Sequence, residues 1–361
     1  MYNLNEKAII WLSLFEKLSL AKQKALLSLF EEPKQIFTSL LTQKAQIQKV
    51  VGEDIYYKML ATDNSLLESY IDNLNSAKIT CLTYVSKYYP EKLRFIKDSP
   101  TILFAKGDIS LLANHAIAIV GTRTPTAYGR ESTSLFAEKL AKNGFVIVSG
   151  LASGVDKFAH EGALKAGGKT IAVLGGGFNN IYPAMNTNLA KTIAEKGLLL
   201  SEYRPSLSAT KYTFPVRNRI IAGLSEGVLV TEAGEKSGAL YTKDFAKEEG
   251  KPVFALPSNI NNTRAVGTNK LLKNHEALMA TSPDDIINFF GILPQEEVKE
   301  EKHIQISLTE KLILDALEDK NQTFDELQGI TKLESKNLNS CLTMLQIRGL
   351  IKKLPGNEYS L

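Results

Sequence analysis

The densest concentration of ligand-binding chemistry in this 361-residue sequence is the segment Lys211-Tyr212-Thr213-Phe214-Pro215-Val216-Arg217-Asn218-Arg219, followed by IIAGLS. It sets three cations within nine residues and interleaves them with aromatic rings. Cations hold a phosphodiester backbone, and an aromatic face stacks on a base. Together they suit a single strand, because a duplex hides its base faces. Asn218, between the two arginines, is a further candidate contact. A competing reading makes Phe214 a core residue and pairs Arg217 and Arg219 with acids such as Glu202 or Glu232.

Three turns extend the pattern. AIAIV is followed by Gly121-Thr122-Arg123-Thr124-Pro125-Thr126-Ala127-Tyr128-Gly129, FVIVS by Gly150-Leu151-Ala152-Ser153-Gly154-Val155-Asp156, and TIAVL by Gly175-Gly176-Gly177-Phe178-Asn179-Asn180. Glycine lets a backbone approach an anion closely and tolerates positive φ. Such turns also arise for steric reasons alone, but three in series, one holding an arginine, point to a phosphate site. The dinucleotide fingerprint fails at Asn180, where the third glycine belongs, so no bound NAD is expected. Ser237-Gly238 precedes a helix-length stretch and suits a phosphate or, equally, a plain N-cap.

Catalytic patterns are sparse. His160 follows Asp156 by four residues, a spacing that more often bridges or caps its own helix than moves protons. No HxxxH, CxxC or acidic cluster has metal-ligand spacing, so neither a metal nor another cofactor is expected. The expected role is binding rather than catalysis.

The elements that must position these residues follow from periodicity. Residues 1–75 are expected to form a small helical domain, with Leu4, Ala8, Trp11, Leu12 and Phe15 on one face and Leu26, Leu27 and Phe30 on a second helix. Ile47, Val51, Ile55 and Tyr56 belong to a third. LSLAKQKALLSLF lacks the glycine that a phosphate-binding helical hairpin needs, which favours a packing or protein-contact role. Residues 76–290 alternate short apolar runs with helix-length stretches at 131–143, 157–167, 186–196 and 238–249. The runs are TILFA, AIAIV, FVIVS, TIAVL, GLLLSEY, GVLVTEA and PVFAL. Buried parallel strands in βαβ units are expected, giving an α/β, extended Rossmann-like, doubly wound sheet. Residues 291–305 form a polar linker. Residues 306–361 contain three helical stretches and a hairpin turning at Pro355-Gly356-Asn357, the pattern of a winged-helix domain.

Charge and composition agree with a binding role for the middle of the chain. The balance of 43 basic and 39 acidic residues gives +4 overall. Residues 1–75 hold 8 basic and 9 acidic residues, 76–300 hold 27 and 21, and 306–361 hold 7 and 8. The surplus therefore sits in the α/β region, where an anionic polymer would bind. Two distant cysteines, Cys81 and Cys341, argue against a disulfide scaffold and for a reducing compartment. The first residues lack the order of a signal peptide, and no apolar run reaches the roughly 18 residues of a bilayer span. A cytoplasmic protein without membrane contacts is expected.

The ordered series GTRTPTAYG, SGLASGVDKFAH, TIAVLGGGFNNIYP, SEYRPS, FPVRNRIIAGLS, TEAGEKSGALYT and PVFALP resembles the DNA-processing protein A (DprA/Smf) family over about residues 78–280. The resemblance implies a single-stranded-DNA-binding core, a homodimer, and loading of the RecA recombinase during natural transformation. It maps the DNA pocket onto Arg123, Lys211, Phe214, Arg217 and Arg219, with backbone contacts from Gly121, Thr122, Gly150 and Gly154. This chain departs from the family at GTNKLLKNHEAL, where His275-Glu276 stands for the frequent Gly-Ala, and at Pro257-Ser258, where Pro-Gly is usual. A different class sharing the fold superfamily is the nucleotide phosphoribohydrolases, similar around VTEAGEKSGAL. Glu232-Ala233-Gly234-Glu235 lacks their catalytic loop pattern. A winged-helix transcription regulator fits poorly with the large α/β region and the acidic C-terminal balance.

Overall fold

The computed structural model describes residues 2–291, 307–318, 320–354 and 357–361. It divides into two compact units, one ending at Gln295 and one beginning at Glu296. The expected linker therefore lies, apart from Gly291, outside the described residues, as do Pro355 and Gly356 of the expected hairpin turn.

Nine strands of the larger unit form one sheet: β1 (Thr80–Thr83), β2 (Ile102–Gly107), β3 (Ala116–Val120), β4 (Val146–Ser149), β5 (Thr170–Leu174), β6 (Leu198–Ser201), β7 (Gly227–Val230), β8 (Val253–Ala255) and β9 (Leu278–Met279). Their order is β1-β2-β6-β5-β4-β3-β7-β8-β9. From β6 to β9 all neighbours are parallel. Successive side chains of a strand point to opposite faces. Thus Ala118, Val148 and Val228 join one apolar cluster, while Ile117, Ile119, Ile147 and Leu229 join another on the far face. Burial on both sides explains why β3 to β7 read as unbroken apolar runs.

The run TILFA departs from the expected parallel arrangement. As β2 it lies antiparallel to both β1 and β6. Only eight residues, 108–115, join it to β3. That length reaches across the sheet edge but cannot also return along a strand, as a parallel crossover of a dozen or more residues does. The chain runs outward from β3 through β4 and β5 to β6, then returns to place β7 on the other side of β3. The strand order reverses between β3 and β7, and open α/β sheets hold their ligands outside the carboxyl ends of such a pair.

The N-terminal segment contains six short helices from Leu4–Leu12 to Asn64–Ser76. The stretch expected as one helix through Ile47 and Tyr56 breaks at Gly52, whose φ of +92° is left-handed space. Leu4 is exposed, whereas Ala8, Trp11, Leu12 and Phe15 are buried as expected. The apolar cluster of Trp11, Leu12 and Phe15 also contains Ile79 and Cys81, around β1, and Ile102 and Phe104 of β2. The helices thus pack on the antiparallel end of the sheet. His275, where the family pattern has glycine, sits at φ +55°. This is the conformation that glycine adopts without steric cost.

In the smaller unit, helices Leu308–Leu317, Phe324–Thr331 and Ser335–Ile347 pack with β10 (Gln322–Thr323), β11 (Lys352–Leu354) and β12 (Glu358–Ser360). The strands form an antiparallel sheet in the order β10-β12-β11. Ile313, Leu327, Leu338, Leu342 and Tyr359 supply its separate core.

His160 is fully buried on the helix Val155–Lys165. The Thr170 hydroxyl donates its hydrogen to the Ile147 carbonyl at 2.6 Å. The His160 Nδ1–H therefore donates to Thr170 Oγ1, also at 2.6 Å, which fixes the neutral tautomer. Burial, reinforced by the Arg217 charge, pushes the imidazole down to about 3. The ring is a structural strut between helix and sheet, not a proton shuttle. Its depressed folded value means that the unfolded chain takes up the proton first on acidification. Its contribution to stability is complete above about pH 6.5 and is lost as pH falls toward about 3. Chemical denaturation at a series of pH values should show His160 contributing a slope of about 1.4 kcal/mol per pH unit between these limits, absent in His160→Asn. An equal slope in both proteins would contradict this placement.

Candidate functional site

A cleft of about 650 Å³ lies at the reversal point, outside the carboxyl ends of β3 and β7. Its walls include Gly121, Thr122 and Arg123 after β3, Lys211, Phe214, Arg217 and Asn218, and Ser237 and Gly238 after β7. Seven of the ten expected site residues thus line one cavity.

The segment read as a cationic motif is the start of a helix, Thr213–Leu224. Pro215 is tolerated there because the first turn has no intrahelical partner for its missing N–H. Residues three and four apart share a helix face, whereas residues five apart do not. Phe214, Arg217, Asn218 and Ile221 consequently face the cleft together. Arg219 does not. It is 4% exposed and its Nη2 donates to both Glu202 oxygens at 2.7 Å. It lines a different cavity with Ser13, Phe15 and Arg204. For Arg219, ion pairing with Glu202 replaces the expected place in the DNA pocket.

Arg217 is equally buried but borders the cleft. One of its guanidinium nitrogens donates to the Gly150 carbonyl at 2.7 Å and to the Val173 carbonyl, and its Nε donates to Asn218 Oδ1 at 3.2 Å. Burial pushes it down to about 10, opposed first by the nearby Asp156 charge, so it stays protonated at neutral pH. Burial raises the Asp156 carboxyl above its ordinary value, against the pull of Arg217 and of the Gly150 and Ala152 N–H groups, which donate at 3.1 and 3.3 Å. The guanidinium carbons of Arg123 and Arg217 lie 5.4 and 6.0 Å from the centre of the Phe214 ring, within cation–π range. Arg123 and Lys211 are exposed. The half-buried Phe214 ring is thus held by cations at the mouth of an electropositive cleft.

The glycines serve the protein's own packing more than a ligand. A Cβ on Gly150 would strike the Arg217 guanidinium, and one on Gly154, whose φ is +77°, would strike the Thr122 carbonyl. The Gly150 N–H is spent on Asp156, and the Thr122 N–H donates to the Glu232 carbonyl at 2.7 Å. These two expected backbone contacts are therefore already occupied, and neither Gly150 nor Gly154 is part of the cleft wall. Gly175 leaves room for the Phe214 ring rather than for an anion. Gly121 lines the wall beside Val155. Three helices, Val155–Lys165, Thr213–Leu224 and Ala239–Glu248, begin beside the cleft, although their first N–H groups already donate to the Thr122 carbonyl, the Thr210 carbonyl and the Ser237 hydroxyl.

Among the wall residues that the sequence reading did not offer as contacts, two bear on how the site is built. Tyr182 is 57% exposed and its ring centre lies 5.6 Å from that of Phe214. It follows the third glycine turn, but nothing in its spacing relates it to Phe214. Thr210, the other, belongs to a loop whose Arg204 donates to the Leu14 carbonyl at 3.1 Å and pairs with Glu16. The N-terminal helices thereby anchor the loop that carries Lys211. Glu232, the acid nearest the phosphoribohydrolase pattern, is 1% exposed. It accepts from the Thr126 N–H and hydroxyl and from Asn262, all within 2.9 Å, so its oxygens cap a helix rather than face the cleft. Among the described residues no three His, Cys, Asp or Glu side chains are grouped to hold a metal ion, and no helix is long and apolar enough to cross a membrane.

A doubly wound sheet with a cationic, aromatic-lined cleft at its reversal point defines a Rossmann-like protein built to hold an anionic ligand. The chain belongs to the DNA recombination-mediator protein A family, whose model matches residues 80–291, and a DprA winged helix domain matches residues 301–357. It is 46% identical over 222 residues to the DNA processing protein DprA of Bacillus subtilis, covering 61% of this chain and 73% of that one. It is 36% identical to the Smf protein of Synechocystis over 75% of this chain and 77% of the relative. The X-ray structure of DprA from Streptococcus pneumoniae superposes with a TM-score of 0.69 at 34% identity, covering 80% of this chain and 98% of that one. A Helicobacter pylori structure, described as showing a single-stranded DNA binding mode of DNA processing protein A, gives 0.54 at 37% identity, covering 59% and 95%.

The Arg219–Glu202 pair yields a test of which cation is which. Arg219→Met should cost about 3–5 kcal/mol of stability by leaving Glu202 buried without its partner, and adding Glu202→Leu should recover most of it. Denaturation midpoints check this. Folded Arg219→Met with undiminished stability would return Arg219 to the list of ligand contacts.

Proposed function

We propose that this protein binds single-stranded DNA in the cleft between the β3 and β7 turns and acts as a recombination mediator in transformation, passing the strand to a RecA-type recombinase. The observation that carries the reading is Phe214, half-buried with two guanidinium groups in cation–π range and beside the exposed Tyr182 ring. Phosphates pair with Arg123 and Lys211, with the Asn218 amide beside them, while Phe214 offers a π-face to a base of any sequence. Arg217 adds charge from below and holds the wall. The single-stranded DNA binding described for the Helicobacter pylori relative, which shares 37% of its aligned residues with this chain, supports the same ligand here. A homodimer and a cytoplasmic location belong to this proposal. The mechanism needs no covalent step: the strand is held by charge and stacking, with its sequence unread, until a recombinase takes it.

Phe214→Ala should weaken binding of oligo-dT and oligo-dA alike by about 1–3 kcal/mol, with Phe214→Tyr and Phe214→Trp largely tolerated. Arg123→Ala should flatten the log–log salt dependence by about 0.7, the loss of one single-strand phosphate contact. Fluorescence anisotropy across a salt series measures both. Wild-type affinity and slope in both folded alanine variants would place the ligand elsewhere.

A further inference from the structure

A second concavity of about 790 Å³ opens on the carboxyl side of the same sheet, lined by Thr126, Tyr128, Pro257, Ser258 and the asparagines 259, 261 and 262. It is continuous in chain with the cleft: residues 121–123 line the first cavity, and Thr126 and Tyr128, at the start of the helix Ala127–Lys142 that follows, line the second. Tyr128 is 48% exposed, and its hydroxyl donates to the Pro257 carbonyl at 3.0 Å, which pins the ring at the rim. Asn262 is locked by Glu232 at 2.7 Å and by the Ser258 hydroxyl at 3.1 Å, so the loop is held in place. Asn259 and Asn261 are exposed on it. The two bordering segments, GTRTPTAYGR and LPSNINNTRA, contain three arginines, Glu131 follows the first, and the Glu232 carboxylate that meets Thr126 and Asn262 is buried. Arg264 is exposed on the turn Thr263–Ala265 directly after Asn262.

Arg123 belongs to the cleft, but Tyr128, Asn259, Asn261, Arg130 and Arg264 do not line it. A fixed aromatic face, exposed carboxamides and exposed cations at the border are features that bind a nucleic-acid strand with its bases splayed. We propose that the second concavity is a distinct subsite for the same single strand, which leaves the cleft across the β3 turn. One base stacks on Tyr128, carboxamides of Asn259 and Asn261 meet base edges, and Arg264 holds a phosphate. The inference rests on the cleft being a single-strand site. It adds a site size longer than the cleft alone accommodates.

The test compares two oligo-dT lengths, about four and about twelve nucleotides, both within the roughly 4–16 nucleotides that one OB fold covers. The proteins are the full chain and its variants Tyr128→Ala, Tyr128→Phe and Arg264→Ala. The expected result is that Tyr128→Ala weakens the long oligomer roughly 5- to 100-fold while leaving the short one at wild-type affinity. Tyr128→Phe keeps the ring but loses its anchor on Pro257, and should retain most of the long-oligomer affinity that Tyr128→Ala loses. Arg264→Ala, on an exposed side chain whose loss leaves folding intact, should flatten the salt slope for the long oligomer only. Wild-type binding of both lengths by Tyr128→Ala and Arg264→Ala overturns the subsite and leaves the cleft reading standing. Failure of the wild-type protein to bind either length overturns both.

Discussion

A guanidinium buried at the carboxyl edge of a parallel sheet must find acceptors and a counter-charge, or the fold will not tolerate it. Arg217 finds them in the carbonyls of Gly150 and Val173 and in the charge of Asp156. Those groups come from the ends of β4 and β5 and from the following helix, so one side chain ties two neighbouring strand ends to the helix that borders the cleft. Gly150 is required beside it because any Cβ would occupy the guanidinium's place. Phe214, one helical turn before Arg217, is then presented at the cleft mouth, with Gly175 leaving space for its ring. Positive charge and an aromatic face are thereby fixed relative to each other before a ligand arrives. Such preorganisation lowers the ordering cost of binding.

The parallel core was legible because its strands are buried on both faces and so leave unbroken apolar runs between helix-length stretches. The antiparallel direction of β2 was not, since apolar content says nothing about direction; the eight-residue link to β3 carried that information. β1 and β9 went unmarked because they are four and two residues long. In the N-terminal segment the apolar positions were mostly right. The helix count was not: Gly52 splits one expected helix in two, and the helices Gln35–Ser39 and Asn64–Ser76 went unmarked.

At the site, residue types singled out segments of which seven residues meet in one cleft, while roles depended on geometry. Treating residues 211–219 as a linear cluster gave Arg217 and Arg219 equal standing. A helix separates them, since a five-residue step from Phe214 turns away from the face shared by Arg217 and Asn218. The acid at Glu202, 17 positions away in sequence, completes the separation. The glycine turns illustrate a second limit. Their sequence signals close approach without saying what approaches, and here it is mainly the protein's own arginine, carbonyl and phenyl groups. Tyr182 lies beyond the reach of spacing altogether, because only the fold brings its ring to Phe214.

The central claim is that the single strand lies in the cleft on the larger unit, with a base against Phe214. Photo-cross-linking of an oligonucleotide carrying 5-bromouracil, followed by peptide mapping, tests it directly. The account predicts adducts on the peptides containing Phe214 and Tyr182, in the full-length protein at moderate salt. Adducts confined to residues 307–361 or to the N-terminal helices would contradict it.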